Sequence, residues 1–184
     1  MEDDNKVKKI LTYIKIIIIF TIIICIGIFA FIKIENKINN NNLYNYLNKN
    51  NYKTNEDKIY YKKIDESITE KALSNDYIFS KEIRKQNEKT SVTILNYKKD
   101  NSIFISYQED GFDNNGNYGI SYQEGTYKNK KFKCKIITNN NQTQQCSTMK
   151  TQAENYYKEI QDILNNNKIN LKFVNIKTKN AKKN

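Results

Sequence analysis

The sequence predicts an α+β protein, in which an N-terminal transmembrane helix is followed by an antiparallel β-meander packed by a C-terminal amphipathic helix. Three observations predict this fold class. Residues 16–32 form an uncharged apolar run, residues 77–138 alternate Ile-, Tyr-, Phe- and Val-rich runs with turn residues, and apolar residues in 149–164 recur at steps of three and four. With 184 residues, one segment of which is spent on a membrane, the chain has room for one small domain.

Composition predicts five segments along the chain. They are a short tail of mixed charge (1–9), the transmembrane helix (10–34), a polar tether (35–42), a small extracytoplasmic α+β domain (43–176) and a basic disordered tail (177–184).

The apolar run of residues 16–32 predicts the membrane anchor. It holds seventeen residues between Lys15 and Lys33, which is the lower limit for crossing about 30 Å of hydrocarbon as a helix. The flanking lysines can reach toward the headgroups. The alternative, a cleaved signal peptide, lacks a small-residue cleavage site and has too long an apolar run. We therefore expect a single-pass protein of the cell membrane, with the lipid bilayer as a partner.

The orientation of the anchor depends on two cysteines. Lysines flank both ends of the span, so the positive-inside bias is slight. Cys134 and Cys146 lie twelve residues apart, and a disulfide between them implies an oxidising compartment outside the cytoplasm. Two buried thiols are the alternative. We predict the bond, a cytoplasmic N-terminus and an extracytoplasmic C-terminal domain.

The secondary structure of the domain is predicted from periodicity and turn residues. Strands are expected near 59–64, 77–84, 91–98, 102–109, 117–127 and 131–138, and a last strand near 169–173, in which apolar and polar residues alternate. The sequence Ser67-Ile-Thr-Glu70 resembles a capping box and predicts a short helix over 65–75. Ser147 or Thr148 is the expected N-cap of the last helix, which an Asn run ends.

The pentapeptide ISYQE occurs twice, at 105–109 and 120–124. It is either a duplicated binding element or one strand pattern written twice. A tight turn at Asp100 and Asn101 places Asn96 opposite Ile105, and the second copy returning antiparallel then shares its inward face with the first. The expectation is that Ile and Tyr of both copies face the core. A second tight turn, at Asn129 and Lys130, would set Glu124 opposite Lys135.

Two surfaces are candidate binding sites. Ser106, Gln108, Ser121 and Gln123 could form a polar strip on the outward sheet face, although an ordinary solvated face explains them too. Tyr97 and Tyr127 beside Lys131 and Lys133 could stack on nucleic acid bases or sugars, although tyrosines on a half-buried sheet are more typical of a core.

Composition excludes several functions. The chain has no His, which excludes Ser-His-Asp catalysis and His-ligated zinc, and it has no C-x-x-C motif. We predict no catalytic residue, no metal and no cofactor. The formal charge of +11 is suited to anionic lipid, nucleic acid or acidic wall polymer, unless it reflects only the codon bias of an AT-rich genome.

The leading functional hypothesis is a membrane-anchored, extracytoplasmic, non-catalytic binding or accessory domain for an unknown protein partner, with no small-molecule substrate. The alternatives are a basic-surface binder of anionic polymer, either cell-wall polymer or nucleic acid, and a carboxylate-dependent enzyme.

Overall fold

The fold is α+β, as the sequence predicts. A computed structural model describes residues 2–56, 58–74, 76–86, 90–112, 118–136 and 142–174; the predicted basic tail lies outside these ranges. Its elements are α1 (Glu2–Lys49), β1 (Lys53–Thr54), β2 (Tyr60–Lys63), β3 (Ile68–Ala72), β4 (Phe79–Gln86), β5 (Thr90–Tyr97), β6 (Ile103–Phe112), β7 (Tyr118–Lys128), β8 (Lys131–Ile136), α2 (Gln142–Asn166) and a 3-10 helix (Leu171–Phe173).

The first helix, α1, runs without a break for 48 residues, from the apolar segment into the domain. Residues 35–42, predicted as a tether, are helical. Their asparagines have partners: Asn42 Nδ2 donates to the carbonyl of Lys168, 3.0 Å away, and the backbone N–H of Asn170 donates to Asn39 Oδ1. Leu43 and Leu47 are fully buried in the domain core, so the end of α1 is part of the domain.

The eight strands form one antiparallel sheet in sequential order, β1 to β8. The six predicted strands before α2 are each found within a few residues of their expected positions, and the short β1 was not predicted. One face of the sheet packs against helices. Helix α2 contacts β5 to β8, while Tyr44 and Tyr46 at the end of α1 contact the rings of Tyr60 in β2 and Phe79 in β4. We call this helix-covered side the inner face.

The predicted β5–β6 register is wrong by one residue. The hairpin closes with a hydrogen bond from the N–H of Lys98 to the carbonyl of Ser102, 2.8 Å, which leaves a loop of three residues instead of two. Asn101 takes the left-handed conformation, with φ of 60°, that such loops require. Asp100 holds the loop by accepting the Ser102 hydroxyl. Ile105 therefore pairs with Leu95, not with Asn96.

This shift separates the two ISYQE copies. Ile105 pairs with Gly125, and Tyr107 pairs with Gln123, so the inner face carries Ile and Tyr of the first copy but Ser and Gln of the second. Ile105 is 0% exposed and Ile120 is 56% exposed. The expectation that both copies bury the same residues is wrong.

The predicted β7–β8 register is correct. Glu124 pairs with Lys135 across a two-residue turn at Asn129 and Lys130, whose φ values of 51° and 60° are those of a type I′ turn. Gly125 is required in this hairpin, because a side chain there would collide with the ring of Phe132. Phe132 and Cys134 share the inner face with Leu95 and Tyr97, whereas Phe104 is on the other face.

Two predicted elements near the edges of the domain are wrong. From Asp65 the chain forms a turn and then β3 instead of the predicted helix. Asp65 Oδ1 accepts the N–H groups of Ser67 and Ile68. The Asp65 carboxylate therefore organises the turn, in place of the Ser67 hydroxyl of the predicted capping box. At 169–173 the chain forms a 3-10 helix capped by Asn170, which accepts the N–H of Lys172.

Helix α2 confirms its predicted apolar stripe and its end at the Asn run. It begins at Gln142, before the expected N-cap at Ser147 or Thr148. The buried core lies between the inner face, α2, the end of α1 and the last described residues. Its larger members include Leu43, Leu47, Ile78, Leu95, Tyr97, Ile103, Ile105, Met149, Tyr156, Ile160, Leu164 and Val174.

Candidate functional site

A disulfide fixes the start of α2 on the sheet. Cys134 in β8 and Cys146 in α2 are bonded, with their Cα atoms 6.0 Å apart, which confirms the predicted pair. The bond lies on the inner face near the edge strand and holds the adjacent Gln145 over β7. The position of the first turns of α2 is therefore set covalently.

A cleft of about 400 Å³ opens between this part of α2 and strands β4 to β6. Its volume is in the range of small-ligand sites. Hydroxyl and amide side chains dominate its walls, with two apolar residues and one lysine beside them. The lining residues are Ile83, Lys85, Ser91, Thr93, Tyr107, Gln145, Thr148, Met149 and Gln152.

Gln123 supports the cleft from beneath the helix. It is 1% exposed, and its side-chain amide donates to Oε1 of Gln145 on the cleft wall. Within the described part of the chain, Gln123 Oε1 and the nearby Ser121 Oγ are buried without a hydrogen-bond partner. A buried polar atom in this state costs about 1–3 kcal/mol. An amide kept at this cost beside a polar cleft is typical of a site that is completed by a ligand or by water.

Tyr107 forms another wall of the cleft and pairs with Gln123 across the sheet. Its hydroxyl donates to Glu109 Oε2, 2.5 Å away. Burial, together with this hydrogen bond to a carboxylate, raises the pKa of Tyr107 to about 12. The side chain is therefore neutral at physiological pH and acts as a fixed donor.

The walls of the cleft offer mainly neutral hydrogen-bonding groups. Among its lining residues, Lys85 is charged and the polar remainder consists of neutral hydroxyls and amides, which both donate and accept hydrogen bonds. Within the described ranges, no three acidic or cysteine side chains converge as ligands for a metal ion. The arrangement is suited to a neutral ligand with hydroxyl groups.

The predicted polar strip is divided between the two sheet faces. Ser106 and Gln108 lie on the outer face, whereas Ser121 and Gln123 lie on the inner face beside α2. The register error of one residue explains the difference, since it moves a whole strand to the opposite face. Of the four residues, Gln123 is in contact with the cleft wall.

The predicted aromatic and basic surface is also divided. Tyr97 is 0% exposed and Tyr127 is 7% exposed, and both rings pack against Tyr157 of α2. Lys131 and Lys133 are exposed. The tyrosines belong to the core, so they offer no stacking platform.

A partly exposed charged cluster lies between β3, β4 and α2, away from the cleft. Lys81 Nζ is 2.9 Å from Glu159 and 3.6 Å from Glu70, and the Tyr52 hydroxyl donates to Glu70 at 2.7 Å. Burial, followed by the hydrogen bond to Glu70, raises the pKa of Tyr52. The cavity beside the cluster measures about 10 Å³, which is room for about one water molecule. The cluster joins β3, β4 and α2 and leaves no space for a substrate.

Sequence reasoning missed most of the cleft. Its residues come from β4, β5, β6 and α2, which are distant in the chain, and no local motif joins them. The glutamines at 145 and 152 were a weak signal, because they occupy the face of α2 that carries Met149. Comparison of the chain with protein-family models, characterised proteins and solved structures finds no match.

Proposed function

We propose that this chain is a single-pass membrane protein whose domain lies outside the cytoplasm and binds a neutral, hydroxyl-bearing ligand, such as a glycan unit of a surface polymer or glycoprotein, without transforming it. The observation that carries the proposal is Gln123, a fully buried amide beside a polar cleft, whose oxygen has no partner among the described residues.

The exposed side of α1 supports the membrane anchor. From Leu11 to Ile38 the helix presents large apolar side chains to its surroundings, among them Phe29, which is 74% exposed. A contiguous apolar surface of this length is costly in water and is typical of a lipid-facing helix. The helix is also long and apolar enough to cross a bilayer.

The disulfide supports an extracytoplasmic domain, because bonds of this kind persist in oxidising compartments. Protease added to intact cells should remove the C-terminal domain. If the domain resists cleavage in intact cells and is cut after lysis, the proposed orientation is wrong.

The ligand is tested with the full chain in lipid nanodiscs, screened against neutral glycans and, as a comparison, against polar peptides. Binding to a neutral glycan should be lost in Gln123→Leu and kept in Gln108→Leu, which removes the same amide from the outer face. Binding that survives Gln123→Leu would place the ligand elsewhere. Selective binding of peptides would contradict the glycan assignment.

A further inference from the structure

Exposed lysines gather at one end of the domain, opposite the cleft. Two hairpin loops meet there: Lys128 beside the β7–β8 turn forms an ion pair of 2.7 Å with Asp100 in the β5–β6 loop. Lys99 Nζ donates to the carbonyl of Val174, 2.7 Å away, and so joins these loops to the segment after α2. We call this surface the basic end; its lysines are Lys98, Lys99, Lys128, Lys130, Lys131, Lys168 and Lys172.

The basic end faces the apolar part of α1. The segment after α2 runs back along the anchor helix: the carbonyl of Lys168 meets Asn42, and Phe173 packs edge-on against Phe31, with ring centroids 6.3 Å apart. Phe31 belongs to the uncharged run that Lys33 ends. At 1.5 Å per residue, Asn42 lies about 14 Å beyond Lys33 along the helix. Phe173, through its contact with Phe31, lies at the end of the uncharged run, which we call the apolar boundary.

A depression of about 420 Å³ opens in this surface. Lys99, Lys168 and Lys172 line it together with asparagines, including Asn101 and Asn170, and none of the described residues lining it is acidic. Ammonium and amide groups are suited to phosphate oxygens. The depression therefore matches the chemistry of an anionic headgroup.

Two of these lysines occupy locally unfavourable backbone positions. Lys130 and Lys168 have φ values of 60° and 52°, in the left-handed region where glycine or asparagine is preferred. Lys128 and Lys131 also lie directly opposite each other across the turn, which is unfavourable for like charges. The basic end thus carries charge where the fold alone favours other residues.

Nearby acids leave the basic end positive. Asp100 is already paired with Lys128. Glu35 on α1 accepts from Asn39 Nδ2, 3.1 Å away, and it lies between Lys33 and Lys37 in the sequence. A negative membrane surface attracts lysines within about 10 Å, the Debye length at 0.1 M salt.

We propose that the basic end rests on the bilayer and binds the headgroups of anionic phospholipids, pinning the domain to the membrane that holds its own anchor. The inference rests on the membrane anchoring in the proposed function, not on its ligand. Phe173 reaches the apolar boundary, and the lysines of the two hairpin loops and of the segment after α2 contact the phosphates. The cleft at the other end stays free for its ligand.

The test uses Lys130→Gly with Lys168→Gly in the full chain. Glycine relieves the left-handed positions, so this variant should be at least as stable as the parent. Native mass spectrometry of the detergent-solubilised chain, titrated with phosphatidylglycerol or phosphatidylcholine, measures lipid affinity. Each lysine near an anionic membrane surface contributes about fivefold, so we expect affinity for phosphatidylglycerol to fall, by at most about 25-fold in detergent. The control, Lys63→Gln with Lys150→Gln, removes the same charge from exposed positions outside the basic end and should change affinity less than twofold.

Hydrogen exchange of the parent chain in nanodiscs locates the residues that contact the lipid. Residues 99–101, 129–130 and 168–173 should exchange more slowly in discs with phosphatidylglycerol than in discs of phosphatidylcholine alone. Equal affinity for the two lipids, or an equal loss in both double variants, overturns the inference. The inference is also overturned if a soluble polyanion binds at the basic end and phosphatidylglycerol has no effect. That result favours a polymer ligand. Release of the chain from membranes by alkaline carbonate contradicts the proposed anchor instead, and the lipid titration still reads headgroup affinity in that case.

Discussion

The two copies of ISYQE have the same five residues and opposite orientations. In the first copy Ile105 and Tyr107 face α2; in the second Ser121 and Gln123 do so. The strands pair so that residue numbers opposite each other sum to an even number, as in Ile105 with Gly125, and residues of equal parity therefore share a face. The copies are offset by fifteen, an odd number, so every corresponding position faces the other way. A strand's pattern alone does not choose its buried face; the loops that set the register do.

This difference places the polar half of the second copy beside the cleft. A strand that buried Ile and Tyr twice would extend the apolar core to the start of α2. The observed register instead presents Gln123 to Gln145 and gives the inner face an apolar region and a polar region.

Ile→Ala in each copy tests the difference in burial most directly. Ile105→Ala should lower the free energy of unfolding by about 2–5 kcal/mol, because it leaves a cavity in the core. Ile120→Ala should change it by less than about 0.5 kcal/mol, because that side chain is mostly exposed. Urea unfolding of the two variants provides the measurement. Similar losses in both would mean that the second copy is also buried.

Removing the disulfide tests what holds α2 over the second copy. Cys134→Ser with Cys146→Ser should lower the free energy of unfolding by about 3 kcal/mol in the chain-entropy estimate, and hydrogen exchange should rise first at the start of α2. The matched control is Cys25→Ser, since Cys25 is an exposed free thiol on α1. An unchanged cleft after disulfide loss would show that packing alone positions Gln145.

The glutamines give a smaller effect with the opposite sign. Gln123→Leu with Gln145→Leu removes the buried Gln123 amide, whose oxygen has no partner among the described residues, together with the half-buried amide that it contacts. Replacing both partners by apolar groups is neutral or stabilising, so we expect a gain of up to about 1 kcal/mol in thermal or urea unfolding. Gln108→Leu, in the first copy, should have an effect of less than about 0.5 kcal/mol. A clear loss in the double variant would indicate that the amides stabilise the fold, which would weaken the case for a ligand.

The smallest effect concerns the loop that sets the register of the first copy. Hydrogen bonds from Lys128 and Ser102 lower the pKa of Asp100 from 3.8 to about 2. Because the folded pKa lies below the unfolded one, the carboxylate stabilises the fold above pH 3.8, and this contribution is lost as the pH falls toward 2. The pair is about half exposed, so Asp100→Asn should cost less than about 1 kcal/mol at pH 7. In acid unfolding curves, the gap between parent and variant should close near pH 2.

The sequence predicts elements whose signals are local. The apolar steps of α2 and the residues Asn129 and Lys130 each act within a few positions, and both the helix and the β7–β8 register are confirmed. The predicted length of the β5–β6 loop was wrong because Asp100 and Asn101 suit two-residue and three-residue loops alike. The choice is made by the Ser102 hydroxyl bonding Asp100, a contact that composition does not encode.

Tertiary contacts decide the remaining differences. The alternation of Ile169, Leu171 and Phe173 resembles a strand. Among the described residues no strand pairs with this segment, which packs against α1 and forms a 3-10 helix over Leu171–Phe173. The cleft was not predictable for the same reason: Gln123 and Gln145 meet because a disulfide holds the helix over the sheet.

The unbroken α1 has a mechanical consequence. From Lys33 to Lys49 the helix extends about 24 Å past the apolar run, at 1.5 Å per residue, with no flexible joint between the span and the core. Membrane helices tilt by about 20° on average. Under the proposed anchoring, a change of about 10° in the tilt of the span would displace the far end of the helix by about 4 Å and rotate the domain with it. The unbroken helix would then transmit a force on the domain as torque to the span.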